Sequence, residues 1–247
     1  MPRQTLRRLA GRERTPRANR QLGLLLAFVA GAVNAGGFLA IQRYTSHMTG
    51  IVSGVADDLA LGRVGLALAG VGLVATFMAG AVTTTLLVNW ARQRRMHSEY
   101  ALSLGLEALL LLAFGVMGAS LAQHTTLLVP ATVTLLCFIM GLQNALVTKI
   151  SHAVVRTTHM TGVITDLGIE LGRLLFWRGA AAPAIAGDMR TNRENLRLHA
   201  ALLACFAGGG LLGALAFQWL SYAATLPIAA LLAVLASVPI ADDLQGA

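Results

Sequence analysis

The residues of this sequence best suited to chemistry form a short motif that occurs twice. The string TSHMTGIVS at residues 45–53 matches TTHMTGVIT at residues 157–165 at five of nine positions, and the other four are conservative. Hydroxyl and imidazole groups can donate or accept hydrogen bonds. The motif therefore predicts a site for a small polar or anionic solute.

The motif also predicts the start of a short helix, because Ser46, Thr49, Thr158 and Thr161 are residue types that cap helices. A helix start presents free N–H groups and partial positive charge, which can hold an anion. The same residues could instead serve only as caps and packing residues in a helix bundle. On the binding interpretation the candidate substrate-binding residues are Asn34, Thr45, His47, Thr49, Gly50, Asn144, Thr157, His159, Thr161 and Gly162.

Acidic residues follow each copy of the motif or stand inside an apolar run. Ionisable groups within a membrane are costly and point to function. The candidates for coupling to a proton or cation are Asp58, Glu107, Asp166 and Glu170. Two alternatives stay open: Glu107 could reach the headgroups, and the short-helix acids could lie at the interface. Arg173, three residues beyond Glu170, is expected to pair with it.

Other reaction classes find no support in the sequence. Phosphate-binding loops, nucleophile elbows and His-Glu-x-x-His zinc sites are absent, so we expect no enzyme and no cofactor. An intramembrane hydrolase is the alternative left open, because His and Asp are present, although the sequence places no Ser or Cys nucleophile beside them. The His-Met pairs could suit copper. Consecutive helical residues point about 100° apart, however, so one pair cannot easily hold one ion and no metal is expected.

The elements that must position these residues are membrane-spanning helices. Of the 247 residues, 56% are hydrophobic and only 12% are charged, too few charges for a soluble domain. Six apolar runs are long enough to cross a bilayer as helices. They are residues 21–42, 64–90, 100–122, 127–148, 198–218 and 222–240, and two weaker stretches lie at 47–62 and 159–176.

Charge placement favours six spans over eight. With six spans and a cytoplasmic N-terminus, seventeen of the 19 basic residues lie inside and only Arg43 and Arg63 lie outside. Eight spans would leave six outside and would export the basic loop at 92–95. The weaker stretches are then short re-entrant or half helices. Both termini are expected to be cytoplasmic, in a bacterial inner membrane.

The two motifs belong to a tandem duplication. Gly31 to Ala35 parallels Gly141 to Ala145 upstream, and Leu-Gly-Arg recurs at 61–63 and 171–173 downstream. FMAG at 77–80 similarly parallels FAG at 206–208. Three spans per copy reverse the second copy in the membrane, which predicts an all-α fold of two inverted three-helix repeats with a shared site at their interface. The expected divisions are a basic tail at 1–20, repeats at 21–122 and 127–240, and a tail at 241–247.

The paired motifs, the preceding asparagines, the six-span length and the basic N-terminus resemble the YoaK family, a family of uncharacterised bacterial inner-membrane proteins defined by a domain of unknown function. The resemblance covers about residues 20–240 and implies a fold and a location but no substrate. One position departs from the family pattern, in which Asn often follows the first Thr-Gly. This chain has Ile51 there, so any polar contact of that Asn is absent.

The function expected from these observations is transport of a small polar or anionic solute at the two helix starts. A passive solute channel and a non-transporting scaffold or partner subunit are the alternatives, because likeness of architecture is weak support for function. The expected partners are the lipid bilayer and a small solute, with no nucleic acid. Self-association into a homo-oligomer is left open.

Overall fold

The computed structural model describes residues 7, 9–11, 15–41, 44–119, 125–151, 158–176 and 183–246, which are helical and contain no strand. One 3-10 turn at Ser221–Ala224 joins the last two helices. The helices are α1 (Pro16–Ile41), α2 (Met48–Ala60), α3 (Val64–Gln93), α4 (Ala101–Ala119), α5 (Thr125–Ser151), α6 (Met160–Phe176), α7 (Pro183–Leu220) and α8 (Thr225–Leu244).

The helices are those of a multi-pass membrane protein, as the apolar runs predict. Five segments of the described residues are long and apolar enough to cross a bilayer. The last of them, Arg190–Leu244, includes most of α7 and all of α8. By contrast, α2 has 13 residues and is only about 20 Å long, which is too short to span the bilayer.

Each long helix has one main partner distant in sequence. Helix α1 packs on α7, α3 on α5 and α4 on α8, while α1 also touches α5. The short helices lie outside this bundle, with α2 on α3 and α6 on α7. Fully buried leucines and methionine fill the centre, among them Leu26, Leu104, Leu136, Met140 and Leu232.

Glycines bring two helix pairs into backbone contact, and they do so at corresponding residues of the two sequence repeats. A methyl group added at Gly31 would overlap the Phe206 carbonyl oxygen, and one added at Gly141 would overlap that of Phe77. The reverse contacts place Gly209 on the Phe28 carbonyl and Gly80 on the Phe138 carbonyl. Small residues thus permit a close approach that any side chain would prevent.

Further glycine contacts show how the paired helices run. On α1 and α7, Gly36 lies beside Phe217, further along both helices than the crossing at Gly31, so the two helices are parallel. On α4 and α8, Gly105 lies near Ala236 whereas Gly115 lies near Thr225, so these helices are antiparallel. Each of these helix pairs joins one helix from the first half of the chain to one from the second half.

Polar contacts join three distant parts of the chain at one end of the bundle. The guanidinium of Arg7 donates two hydrogen bonds of 2.6 Å to the Asp242 carboxylate, which raises the pKa of Arg7 above its ordinary value. The backbone N–H groups of His97 and Ser98 donate to Asp243 at 2.7 and 2.9 Å. The segment before α1, the α3–α4 connection and the end of α8 therefore meet on one side.

The α1–α7 crossing predicts different outcomes for two adjacent glycines. Gly209→Ala should lower the free energy of unfolding by about 1–3 kcal/mol, because the new methyl group forces the helices apart. Gly208→Ala is the matched control, since a methyl group there meets no atom within 4 Å. Thermal unfolding of the detergent-solubilised variants measures both changes. Equal melting temperatures for the two variants would contradict the close crossing.

Candidate functional site

Each motif is tied to the long helix that precedes it by one hydrogen bond to an asparagine. The hydroxyl of Ser46 donates to Asn34 Oδ1 at 2.7 Å. In the second copy the hydroxyl of Thr158 donates to Asn144 Oδ1 at 2.5 Å. These asparagines therefore hold the turn before each short helix, which gives the two amides the structural role that the sequence left open.

The capping expected from the sequence is wrong in detail. The N-cap of α2 is His47, which makes no side-chain cap bond, and the Ser46 hydroxyl donates to Asn34 instead of capping the helix. The imidazole of His47 instead lies against Gly50, where a methyl group would overlap the ring. Gly162 lies in the same way against the ring of His159, with a methyl position 2.6 Å from Nδ1. The glycine makes room for the histidine in both copies.

A cavity of about 390 Å³ opens beside the first motif, between α2, α3 and α5. Its polar wall combines hydroxyl, imidazole and carboxylate groups, and its remaining wall is apolar. The lining residues are Tyr44, Thr45, His47, Gly50, Ile51, Gly54, Val55, Asp58, Leu66, Ala69, Gly70, Leu73, Val133 and Cys137. The volume falls within the range of about 300–1,000 Å³ typical of small-molecule sites.

Thr45 is the least satisfied polar residue in this wall. The residue is 2% exposed, and its hydroxyl oxygen has no hydrogen-bond partner within the part of the chain that the structure describes. A buried hydroxyl without a partner costs about 1–3 kcal/mol, so such groups are rare unless a ligand or water satisfies them. The cavity thus contains a polar group in position to bind a ligand.

Asp58 supplies the charge at this site. Its carboxylate Oδ1 lies 3.0 Å from Nε of Arg63, which precedes α3. The ion pair spans the turn between α2 and α3 and leaves Asp58 in the cavity wall. A carboxylate, an imidazole and a hydroxyl therefore face one space.

The structure brings together only part of the candidate set. Thr45, His47, Gly50 and Asp58 line the cavity. Asn34 acts through Ser46, and the side chain of Thr49 is exposed on α2. Among the described residues, none of the second motif lines this cavity, and one site shared by both motifs stays a prediction.

The second motif lies on the other short helix, which packs on α7. His159 and Thr161 are exposed, and Gly162 is half-buried beneath the histidine. Asn144 holds Thr158, as described above. Thr157 lies outside the described residues.

Glu107 is buried in the bundle rather than directed to the headgroups. It is fully buried, and its Oε1 accepts a hydrogen bond of 2.8 Å from Nε2 of Gln143. Glu107 Oε2, Gln143 Oε1 and the hydroxyl of Ser103 have no hydrogen-bond partner among the residues that the structure describes. The alternative of a headgroup contact is therefore wrong, and the carboxyl group lies on the α4–α5 interface.

Glu170 pairs with a histidine from α7 and not with Arg173, which is exposed. His199 Nδ1 lies 2.9 Å from Glu170 Oε1, and Asn192 Nδ2 donates to the Glu170 carbonyl at 2.9 Å. Asp166 is exposed. Sequence reasoning missed His199 and Asn192; the available signal was a titratable residue inside the apolar run at 198–218.

Comparison with known proteins identifies a family without identifying an activity. Residues 22–238 match the family model described as "Protein of unknown function (DUF1275)". The match covers most of the chain and bears out the expected membership of a family of unknown function, although it does not carry the YoaK name. Neither the curated proteins nor the solved structures contain a match.

The two neighbouring hydroxyls at the first motif should respond oppositely to removal. Thr45→Val removes a buried group without a partner, so the free energy of unfolding should rise by about 1 kcal/mol. Ser46→Ala removes the bond to Asn34 and should lower it by about the same amount. Melting temperatures in detergent measure both. A destabilised Thr45→Val variant would show that the hydroxyl already has a partner.

Proposed function

Because the chain belongs to the DUF1275 family, described only as proteins of unknown function, we propose a function from its own residues: transport of a small polar solute across the membrane. The substrate would occupy the cavity at the first motif. The observation that carries this proposal is the buried Thr45 hydroxyl without a partner in the cavity wall. No catalytic role is proposed for any residue.

The chemistry of the cavity narrows the solute class. Thr45 and Tyr44 supply hydroxyl groups, His47 an imidazole and Asp58 a carboxylate. An anion would meet the Asp58 carboxylate, whose charge Arg63 offsets from outside the cavity wall, whereas an uncharged or cationic solute could donate hydrogen bonds to its oxygens. We therefore favour a neutral or cationic polar solute over the anion that a helix start alone suggests.

The contacts support the inverted-repeat architecture that transport would use. The two glycine crossings correspond to each other residue by residue. Adding 110 to the number of Phe28 gives Phe138, and adding 129 to the number of Phe77 gives Phe206. The same relation carries α1 on α7 into α5 on α3, and α2 on α3 into α6 on α7. We propose that residues 21–122 and 127–240 are two such repeats, which many transporters place around a central site.

The directions of the helices support six spans rather than eight. Eight spans would make α4 and α8 parallel and would separate the α3–α4 connection from the end of α8. Instead α4 and α8 are antiparallel, and Asp243 accepts bonds from His97 and Ser98. The basic residues near this end make it the proposed cytoplasmic side of a bacterial inner membrane, with both termini on it.

Among the acids, Glu107 and Asp58 are the proposed coupling residues. Glu107 is sealed between α4 and α5 without a cationic partner in the described residues, and a charge there would cost several kcal/mol. A proton taken up with the solute would remove that cost. Glu170 is held by His199, and exposed Asp166 is the weakest candidate.

Exposed apolar side chains mark the proposed contact with lipid. Helix α3 exposes large aliphatic residues along its length, and α2 contains no buried residue. A water-exposed surface of this kind would be unusual, whereas lipid covers it at no cost. The open question of self-association through these faces does not enter the transport proposal.

Uptake into proteoliposomes tests the function directly. A panel of neutral, cationic and anionic polar solutes would be offered with and without a pH gradient. Thr45→Val should reduce the uptake of the accepted solute about tenfold, because one hydrogen bond of about 1.4 kcal/mol is lost. Glu107→Gln should abolish the stimulation by the pH gradient.

A matched control removes a hydroxyl elsewhere. The Thr83 hydroxyl bonds only the Ala79 carbonyl on its own helix, so Thr83→Val should leave uptake unchanged. Uptake that does not saturate with solute concentration and does not depend on the pH gradient would indicate a passive channel. Failure of every solute to enter would favour a scaffold or partner subunit over a transporter.

Topology has its own prediction. Single cysteines placed at Met96 and Gln245, in the variant lacking both native cysteines, should be labelled from the same side of the membrane. The expected side is the cytoplasm, so an impermeant thiol reagent should label them only after the cells are broken. Labelling of the two positions from opposite sides would overturn the six-span arrangement.

A further inference from the structure

The two halves place different residues at corresponding positions beside their short helices. Asp58 is ten residues after Met48, and Glu170 is ten residues after Met160. On the long helices, Gly70 precedes Phe77 by seven residues, and His199 precedes Phe206 by seven. The glycine crossings make Phe77 and Phe206 equivalent. Gly70 and His199 therefore occupy the same place.

In the first half this place borders the cavity, and Val55 packs against Gly70 there. Ala69 and Gly70 are small, and both line the cavity together with Asp58. Ile51 and Leu73, which also line it, are only half-buried. The carboxylate and the glycine thus lie in the walls of one empty space.

In the second half the same place is filled. The residues equivalent to Ala69 and Gly70 are Leu198 and His199, and the imidazole reaches Glu170 at 2.9 Å. Val163 and Leu202, which correspond to Ile51 and Leu73, are 5% and 0% exposed. Larger side chains therefore close the space that small ones leave open.

The filled space still contains polar atoms without partners. Glu170 Oε2 and Asn192 Oδ1 are buried and make no hydrogen bond to any described residue, and both residues are more than nine-tenths buried. Two acceptors left in this way call for a donor, as a bound polar solute would supply. The first half shows the same property at Thr45.

We propose that the second half holds a second binding position for the same solute, around Glu170 and Asn192, which His199 occupies in this conformation. The inference rests on the proposed function for the identity of the solute. Its geometry implies that one position is open while the other is closed. A neutral or cationic polar solute suits both, because each position contains one carboxylate.

Thiol accessibility tests the closed position without requiring transport. The background replaces Cys137 and Cys205 with Ala, and the reporters are Ile51→Cys and Val163→Cys. A small cationic methanethiosulfonate should modify the first reporter at least tenfold faster than the second. Adding Leu198→Ala and His199→Gly should accelerate modification of the Val163→Cys reporter at least tenfold.

The control His199→Gln keeps a donor for Glu170 and should leave the Val163→Cys reporter slow. The reverse exchange, Ala69→Leu with Gly70→His, should slow the Ile51→Cys reporter, with Val55 moving aside for the new ring. If the variant with Leu198→Ala and His199→Gly is not monodisperse in detergent, the result of the reverse exchange is the test of the inference.

Equal rates for the two reporters in the background would overturn the inference. So would a slow Val163→Cys reporter in a monodisperse opened variant, or an Ile51→Cys reporter that the reverse exchange leaves fast. The expected labelling pattern with no uptake of any solute would instead overturn the proposed function alone.

Discussion

Backbone contact at the glycine crossings is the constraint on which the rest of the structure depends. Lipid provides no hydrophobic drive for helices to associate, so close packing of backbones has to supply it. Gly31 and Gly209 join α1 to α7, and Gly80 and Gly141 join α3 to α5. Each crossing connects one repeat to the other. The two halves consequently form one interleaved core, and the short helices attach to its outside.

The position of the short helices follows from that core. Because α1 and α5 are committed to the crossings, their carboxyl-terminal ends are fixed points from which Asn34 and Asn144 hold the next turns. The motif contributes the hydroxyl for this bond and the glycine that accommodates the histidine ring. Much of the motif is therefore structural, and Thr45, its first residue, places a buried hydroxyl in the cavity wall.

The apolar helices and the two short helices could be predicted from the sequence, because an apolar run of given length has few alternatives in a bilayer. The side-chain partners could not. Local spacing pointed from Glu170 to Arg173 on the same helix, whereas packing brought His199 from α7. Glu107 likewise found Gln143 on another helix. The cavity lies where the two halves differ, with Ala69 and Gly70 in the first half and Leu198 and His199 in the second. Residues that are identical in the two copies could not reveal it.

The bonds from His97 and Ser98 to Asp243 lie at the end of the bundle far from the cavity. They fasten the end of α8 to the start of α4 at the same end of the bundle where Arg7 meets Asp242. From residue 92 back to Gly70 along α3 is about 33 Å at 1.5 Å per residue. The cavity and the fastening therefore stand at opposite ends of α3, and the close contact of Gly80 with the Phe138 carbonyl lies between them.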